Sequence, residues 1–116
     1  MLFLLDPTAP MSIAAQLAVQ VRSSIADGTL APGERLPPAR ELSRALDINM
    51  HTVLRAYAQL RDDGVIEMRQ GRGAWVRRDV APGTIRLSEM VDALLSEARK
   101  FGLRPADVVT LIERRS

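Results

Sequence analysis

The chain has 116 residues, enough for one modest domain with an appendage. Its apolar fraction of 47% and charged fraction of 26% are those of a soluble globular protein, and its formal net charge is only +2. No cysteine and a single histidine exclude a disulfide framework and a cysteine-ligated metal site, and no metal enzyme or cofactor is expected.

The apolar start, Met1-Leu2-Phe3-Leu4-Leu5, is ended at once by Asp6 and Pro7. It lacks a basic leader and is too short for a signal peptide. No apolar run approaches the roughly 18 residues of a membrane span. The expectation is a cytoplasmic protein with no membrane partner. Residues 1–78 hold 10 arginines against 8 acidic residues, and residues 79–116 hold 6 basic and 6 acidic ones. Lys100 is the only lysine. Arginine's planar fork suits phosphate and guanine, although a codon bias toward arginine gives the same count.

Residues 1–11 read as an extended lead-in broken by Pro7 and Pro10. Ser12 can cap a first helix. Ile13, Leu17, Val21 and Ile25, with Ala14 and Ala18, form its apolar stripe, and Gln16, Gln20 and Arg22 lie off it. Asp27-Gly28 stops this helix, which reads as core scaffold. Thr29 to Pro38 is a connector with a turn at Pro32-Gly33, and Arg35-Leu36 can add a short strand. Pro38 suits the first position of a second helix of about eight residues. There Leu42, Ala45 and Leu46 face inward, and Arg40 and Arg44 share another face.

Asp47 takes the turn after that helix, since Asp tolerates the left-handed region better than most residues. Ile48 returns to the core. Asn49 is a good N-cap for a third helix that runs to about Asp62 or Asp63 and ends at Gly64. Val53, Ala56, Tyr57 and Leu60 make its apolar face, with His51, Arg55, Ala58 and Asp62 opposite. Val65 to Arg69 and Ala74 to Arg78 read as strands joined by the four-residue link Gln70-Gly71-Arg72-Gly73. Trp75 is a lone aromatic, so packing suits it better than base stacking.

Helix, turn, helix and glycine-tipped hairpin is the order of a winged helix-turn-helix, a DNA-reading module. A recognition helix reads base edges with its first turns, here Asn49, Met50, His51, Thr52 and Arg55. Arg40 lies where a DNA backbone would pass. Gln70, Gly71 and Arg72 form the wing tip. Glycine there lets the backbone approach closely, and Arg72 suits the negative potential of a narrow minor groove. Arg69, Arg77 and Arg78 flank it within reach of phosphates. The competing reading is a plain hairpin with solvated arginines.

Asp79 to Thr84 reads as a linker. Ser88 can cap a fourth helix, which Gly102 ends. Its apolar series is Leu87, Met90, Val91, Leu94, Leu95, Ala98 and Phe101. Pro105 starts a last helix with Val108, Val109, Leu111 and Ile112 apolar. Two short helices cannot bury so much apolar surface against each other. They either fold back on their own domain or pair with a second copy. We favour pairing, through Leu87, Met90, Val91, Leu94, Leu95, Phe101, Val108, Leu111 and Ile112, because two-fold operators need dimers. No nucleophile or phosphate-loop motif is present, and Gly71-Arg72-Gly73 sits in a hairpin rather than between a strand and a helix.

Four segments in order resemble the DNA-binding domain of GntR-type bacterial transcription regulators. They are Gly28-x-Leu30-x-Pro32-Gly33, Leu36-Pro37-x-x-Arg40-Glu41-Leu42, Thr52-Val53-x-Arg55-Ala56-Tyr57 and Arg69-x-Gly71-x-Gly73. Asn49-x-x-Thr52-Val53-x-Arg55-Ala56-Tyr57 and the short two-helix tail are similar in particular to the YtrA subfamily. The resemblance implies DNA contact by Arg40, by Asn49, Met50, His51 and Thr52, and by the wing glycine Gly71. Arg55 matches a characteristic arginine of the subfamily. It also implies a tail that dimerises rather than a large effector domain, and repression of operons for transport systems. The chain departs from the pattern with Pro38 where Ser is usual after Leu-Pro, with Met50-His51 where Pro-Asn is common, and with Ala14 where an aromatic is usual.

The expectation is an α+β, mostly α fold: a winged helix-turn-helix over residues 1–78 and a helical dimerisation tail over 79–116. The function is sequence-specific binding of a two-fold double-stranded operator by a homodimeric transcription regulator, not an enzyme. The alternative is a winged-helix protein-interaction module, supported by the modest charge. Nothing in the composition identifies a small-molecule effector.

Overall fold

Ser12 starts the first helix by accepting a 3.2 Å bond from the Ala15 amide, and α1 runs from Ile13 to Ala26 in the computed structural model, which describes residues 3–116. Met1 and Leu2 lie outside the described residues. Ala14, Leu17, Ala18, Val21 and Ile25 are buried as the stripe predicts. Gln16 and Arg22, expected off the stripe, are buried too, for reasons of partnership rather than polarity. Arg22 Nη2 donates at 2.6 Å to Asp63 Oδ2 at the far end of the third helix.

Gln16 and Gln20 act on the lead-in, which is docked rather than free. Gln20 accepts from the Leu4 amide at 2.8 Å and donates to the Leu4 carbonyl at 2.6 Å. Gln16 accepts from the Asp6 amide at 2.8 Å and donates to the Asp6 and Met11 carbonyls, each at 2.8 Å. The match is geometric. Residues four apart on a helix rise about 6 Å, close to the roughly 6.6 Å between alternate residues of an extended chain. Phe3, at the start of this strap, is buried in the core.

The connector follows β2 as a third, irregular strand. Gly33 N donates to Val76 O, Val76 N to Glu34 O and Leu36 N to Ala74 O, all at 2.8 Å. Helix α2 spans Ala39–Leu46. Pro38 is its N-cap, one position earlier than expected, with extended ψ and no side-chain cap bond. Its carbonyl accepts the first helical bond, from Leu42 N at 2.9 Å. Leu42 is buried, but Ala45 is exposed and Ser43 takes the inner position instead. The Ser43 hydroxyl is satisfied at 2.8 Å by the Arg40 carbonyl, so its burial leaves no orphan group. Asp47 is left-handed at φ 53, ψ 50, and the following Ile48 amide reaches back to Ser43 O at 3.0 Å, closing α2.

Helix α3 spans Met50–Asp62 and buries Val53, Ala56, Tyr57 and Leu60. Gly64, at φ +76, ends it, and Val65 N returns to Leu60 O at 2.9 Å. Strands β1 (Ile66–Arg69) and β2 (Gly73–Val76) pair antiparallel, with Ile66 opposite Val76 and Arg69 opposite Gly73. The hairpin link is therefore three residues, Gln70 to Arg72, since Gly73 belongs to the ladder and Arg72 N donates to Arg69 O at 2.9 Å. Ile66, Ala74 and Val76 face the core, and Glu67 is exposed. Arg77 and Arg78 lie past the strand end.

Helix α4, Pro82–Lys100, begins well before Ser88, which is an internal residue. Proline at the first helical turn loses no bond, and Ile85 anchors the added turns in the core. The helix packs along α1, where Ser23 Oγ donates at 2.7 Å to Glu89 Oε2. Gly102, at φ +74, and Leu103, whose amide donates to Ala98 O at 3.0 Å, turn the chain into α5, Pro105–Arg115. Asp107 accepts from the Arg104 amide at 2.8 Å and caps α5. Val108 and Ala98 are buried where the two tail helices meet. Among the described residues no helix is long and apolar enough to cross a membrane.

Candidate nucleic-acid interface

The start of α3 is built to be both fixed and open. Asn49 Oδ1 accepts from the His51 amide at 2.7 Å, so the cap engages its carbonyl oxygen and leaves the two N–H donors of its Nδ2. His51 and Arg55 are exposed, one turn apart, on the face away from the core. Met50 and Thr52 are half-buried at its edge. Arg40 is exposed in the first turn of α2, and α2 packs directly on α3. The hydroxyl of buried Tyr57 donates to the Pro37 carbonyl at 2.6 Å, which ties α3 to the chain entering α2. Burial raises the Tyr57 phenol above its ordinary value, so it remains a neutral donor.

The wing supplies the second part. Gln70, Gly71 and Arg72 are all exposed at the tip, and Gly71 has a φ of +74. A conformation of this kind favours glycine, because a Cβ would strain it. The flanking arginines divide by partner. Arg69 Nε donates at 2.7 Å to Glu67 on its own strand. Arg77 forms a two-point pair with Asp79 at 2.9 and 2.7 Å. That pair holds the Asp79 carboxyl below its ordinary range and raises the Arg77 guanidinium. Arg69 and Arg77 are therefore each paired with an exposed carboxylate while remaining open to solvent.

Trp75 is half-buried on the same hairpin face as Arg69. The guanidinium carbons of Arg69 and Arg35 lie 5.1 and 5.5 Å from its ring centroid. Arg35 Nη2 also donates at 2.8 Å to the Arg72 carbonyl. In the sequence Arg35 belongs to a short strand and carries no sign of a site role. Its contact spans 37 positions and leaves no local signal.

The tail presents a third surface. Leu87 (62% exposed), Met90, Val91, Leu94, Phe101 (74%), Leu111 and Ile112 are exposed. Leu95 is half-buried, and Val108, at 4% exposed, is turned into the α4–α5 junction. Val108 therefore builds the tail and is not free to meet a second copy.

The family model for bacterial regulatory proteins of the gntR family matches residues 13–76, from the start of α1 to the end of β2. The transcriptional repressor YtrA of Bacillus subtilis is 28% identical over 104 residues, covering 85% of this chain and 80% of that protein. The pyridoxine biosynthesis regulator PdxR of Corynebacterium glutamicum is 38% identical over 76 residues. The chain spans 17% of PdxR, and 38% of the uncharacterised regulator Rv0494 of Mycobacterium tuberculosis. Among solved structures, the GntR-family transcription factor YtrA of Sulfolobus acidocaldarius is 32% identical, with a TM-score of 0.63 over 97% of this chain and 94% of that one. A GntR-family regulator of Listeria monocytogenes shares the fold at 24% identity, with a TM-score of 0.66 over 95% and 98%. Both the helix-turn-helix and the two-helix tail thus have counterparts, and the relatives are transcription regulators rather than enzymes. The chain belongs to the GntR family of bacterial regulatory proteins, in its YtrA-like form.

Proposed function

We propose that the protein is a dimeric, cytoplasmic repressor that reads a two-fold double-stranded operator, controlling an operon connected with transport. The observation that carries this reading is the exposure of His51 and Arg55 on α3 together with Gln70, Gly71 and Arg72 at the wing tip. Each subunit inserts the start of α3 in a major groove and the wing tip in the adjacent minor groove, with Arg40 on the backbone between them. Residues 79–116 bring two copies together through Leu87, Met90, Val91, Leu94, Phe101, Leu111 and Ile112. Half-sites then lie about one helical turn, roughly 10 bp, apart. Repression is supported by the named role of the Bacillus subtilis relative. The link to transport rests on the resemblance to the subfamily.

The test is selection of bound fragments from a random double-stranded pool, read by sequencing. An enriched two-fold motif is expected, and its genomic positions name the regulated genes. A flat result at low salt, with protein that is folded, counts against operator reading. The protein-interaction alternative, favoured by a net charge of +2, predicts binding without the steep salt dependence that phosphate contacts impose.

A further inference from the structure

We propose that Arg35 is a positioning residue for the wing: held on Trp75 and bonded to the Arg72 carbonyl, it sets the pose in which the tip enters the minor groove. The proposal rests on the operator-reading assignment above and adds to it a residue that carries no base contact.

The wing has few supports of its own. It consists of two four-residue strands and a three-residue link. Gly71 and Gly73, at φ +74 and +119, flank Arg72, and glycine loses more conformational freedom on ordering than any other residue. A tip of this kind pays an entropic cost when DNA fixes it, and that cost falls if the protein fixes it beforehand.

Arg35 supplies the fixing from outside the hairpin. Its backbone is locked by the flanking bonds of Glu34 and Leu36 to β2, at 2.8 Å each. Its guanidinium then reaches along the hairpin face, past Trp75, to the Arg72 carbonyl at 2.8 Å. The fit is close. A Cβ on Gly73 would lie 3.1 Å from Arg35 Nη2 and 3.2 Å from Nε, so the small residue there admits the arginine. Among the described residues Arg35 forms no salt bridge, and its only side-chain hydrogen bond is to the tip. A planar fork that stacks and donates at once is arginine chemistry. Lysine keeps the charge but offers neither the stack nor the fork.

The experiment is a double-mutant cycle on the selected operator with Arg35→Ala, Arg72→Ala and the pair, with Arg35→Lys beside it and amide exchange of the free proteins. Arg35 is exposed, so its variants are expected to fold, and a thermal melt checks this. Arg35→Ala is expected to weaken operator binding roughly tenfold. It should flatten sequence preference under the wing, leave preference under α3 intact, and speed exchange at Gly71, Arg72 and Gly73. In the Arg72→Ala background, where the carbonyl bond survives but the inserted guanidinium is gone, the same change should cost clearly less than in the wild type, and Arg35→Lys should resemble Arg35→Ala. Full recovery with lysine, or additive losses, would mean a direct phosphate contact and would overturn the positioning role. Unchanged tip exchange on loss of Arg35 would overturn it whichever way DNA binding comes out. A wild-type protein that binds no DNA at low salt overturns the operator-reading assignment instead.

Discussion

Arg22 and Asp63 meet at 2.6 Å across 41 positions of sequence, and they do so unequally: the arginine side chain is 10% exposed and the aspartate 48%. The pair bolts α1 to the end of the helix proposed to read bases. Its inequality gives a direction. Asp63→Ala strands a buried cation, whereas Arg22→Met leaves a carboxylate that water can reach. We expect Asp63→Ala to cost more, though less than the ~3–5 kcal/mol of breaking a fully buried pair. Arg22→Met should cost about 1 kcal/mol. Urea unfolding of both variants checks the order, and equal losses would show that the burial of Arg22 is energetically irrelevant.

Base reading is tested at the open end of α3. His51→Ala or Arg55→Ala should cost about 1–3 kcal/mol of operator affinity, according to the base lost. Fluorescence anisotropy on the selected operator measures it. Wild-type affinity in both variants would remove the assignment.

Tyr57→Phe should destabilise the fold by about 1 kcal/mol near neutral pH, through loss of the bond to Pro37. The pH dependence has a fixed sign. Burial raises the folded phenol above its ordinary value, so the neutral form is the one the fold favours. This contribution is complete below about pH 10, the unfolded value, and declines as pH rises toward the folded one. Denaturation midpoints taken across that range should fall in the wild type more than in the phenylalanine variant.

Asp79→Asn should release Arg77. With its two-point partner neutralised, the guanidinium becomes available to phosphate, and the salt slope of DNA binding should steepen by up to about one. In the wild type the Asp79 carboxyl titrates below its ordinary value because Arg77 bonds it. That contribution exists above the ordinary carboxylate range and is lost as pH falls through the depressed value. A carboxyl titration by NMR should return to the ordinary range in Arg77→Ala.

The tail is tested by charge. Leu94→Asp with Met90→Asp places carboxylates in the exposed apolar face of α4. Sedimentation should then report monomers, with helical content unchanged and operator affinity reduced. Dimers of undiminished stability would move the contact elsewhere.

Local grammar was the legible part of this chain. Val53, Ala56, Tyr57 and Leu60 declare one face of α3, Asp47 marks the end of α2 and Gly64 the end of α3, because periodicity and left-handed turns are written in neighbouring residues. Long-range partnership was not legible. Gln16 and Arg22 look like surface residues until the strap and Asp63 are in place. Ile85 had a usable signal in Pro82, a sound first-turn residue, but Ser88 offered a competing cap. The tail shows the limit most clearly. The stripe through Leu87, Met90 and Leu94 faces outward, while Ile85 and Glu89 hold α4 to α1. An apolar series says that something will cover it, not what.

The strap along α1 has an evolutionary corollary. Gln16 and Gln20 grip the amides and carbonyls of Leu4 and Asp6, groups that nearly every residue carries. The grip is therefore indifferent to the letters it holds, and exposed position 4 tolerates replacement, whereas Asp6 also accepts from the Thr8 amide and hydroxyl at 2.9 and 2.6 Å and is tied to its turn. Proline is the exception at either place, since it alone arrives without an amide hydrogen to give.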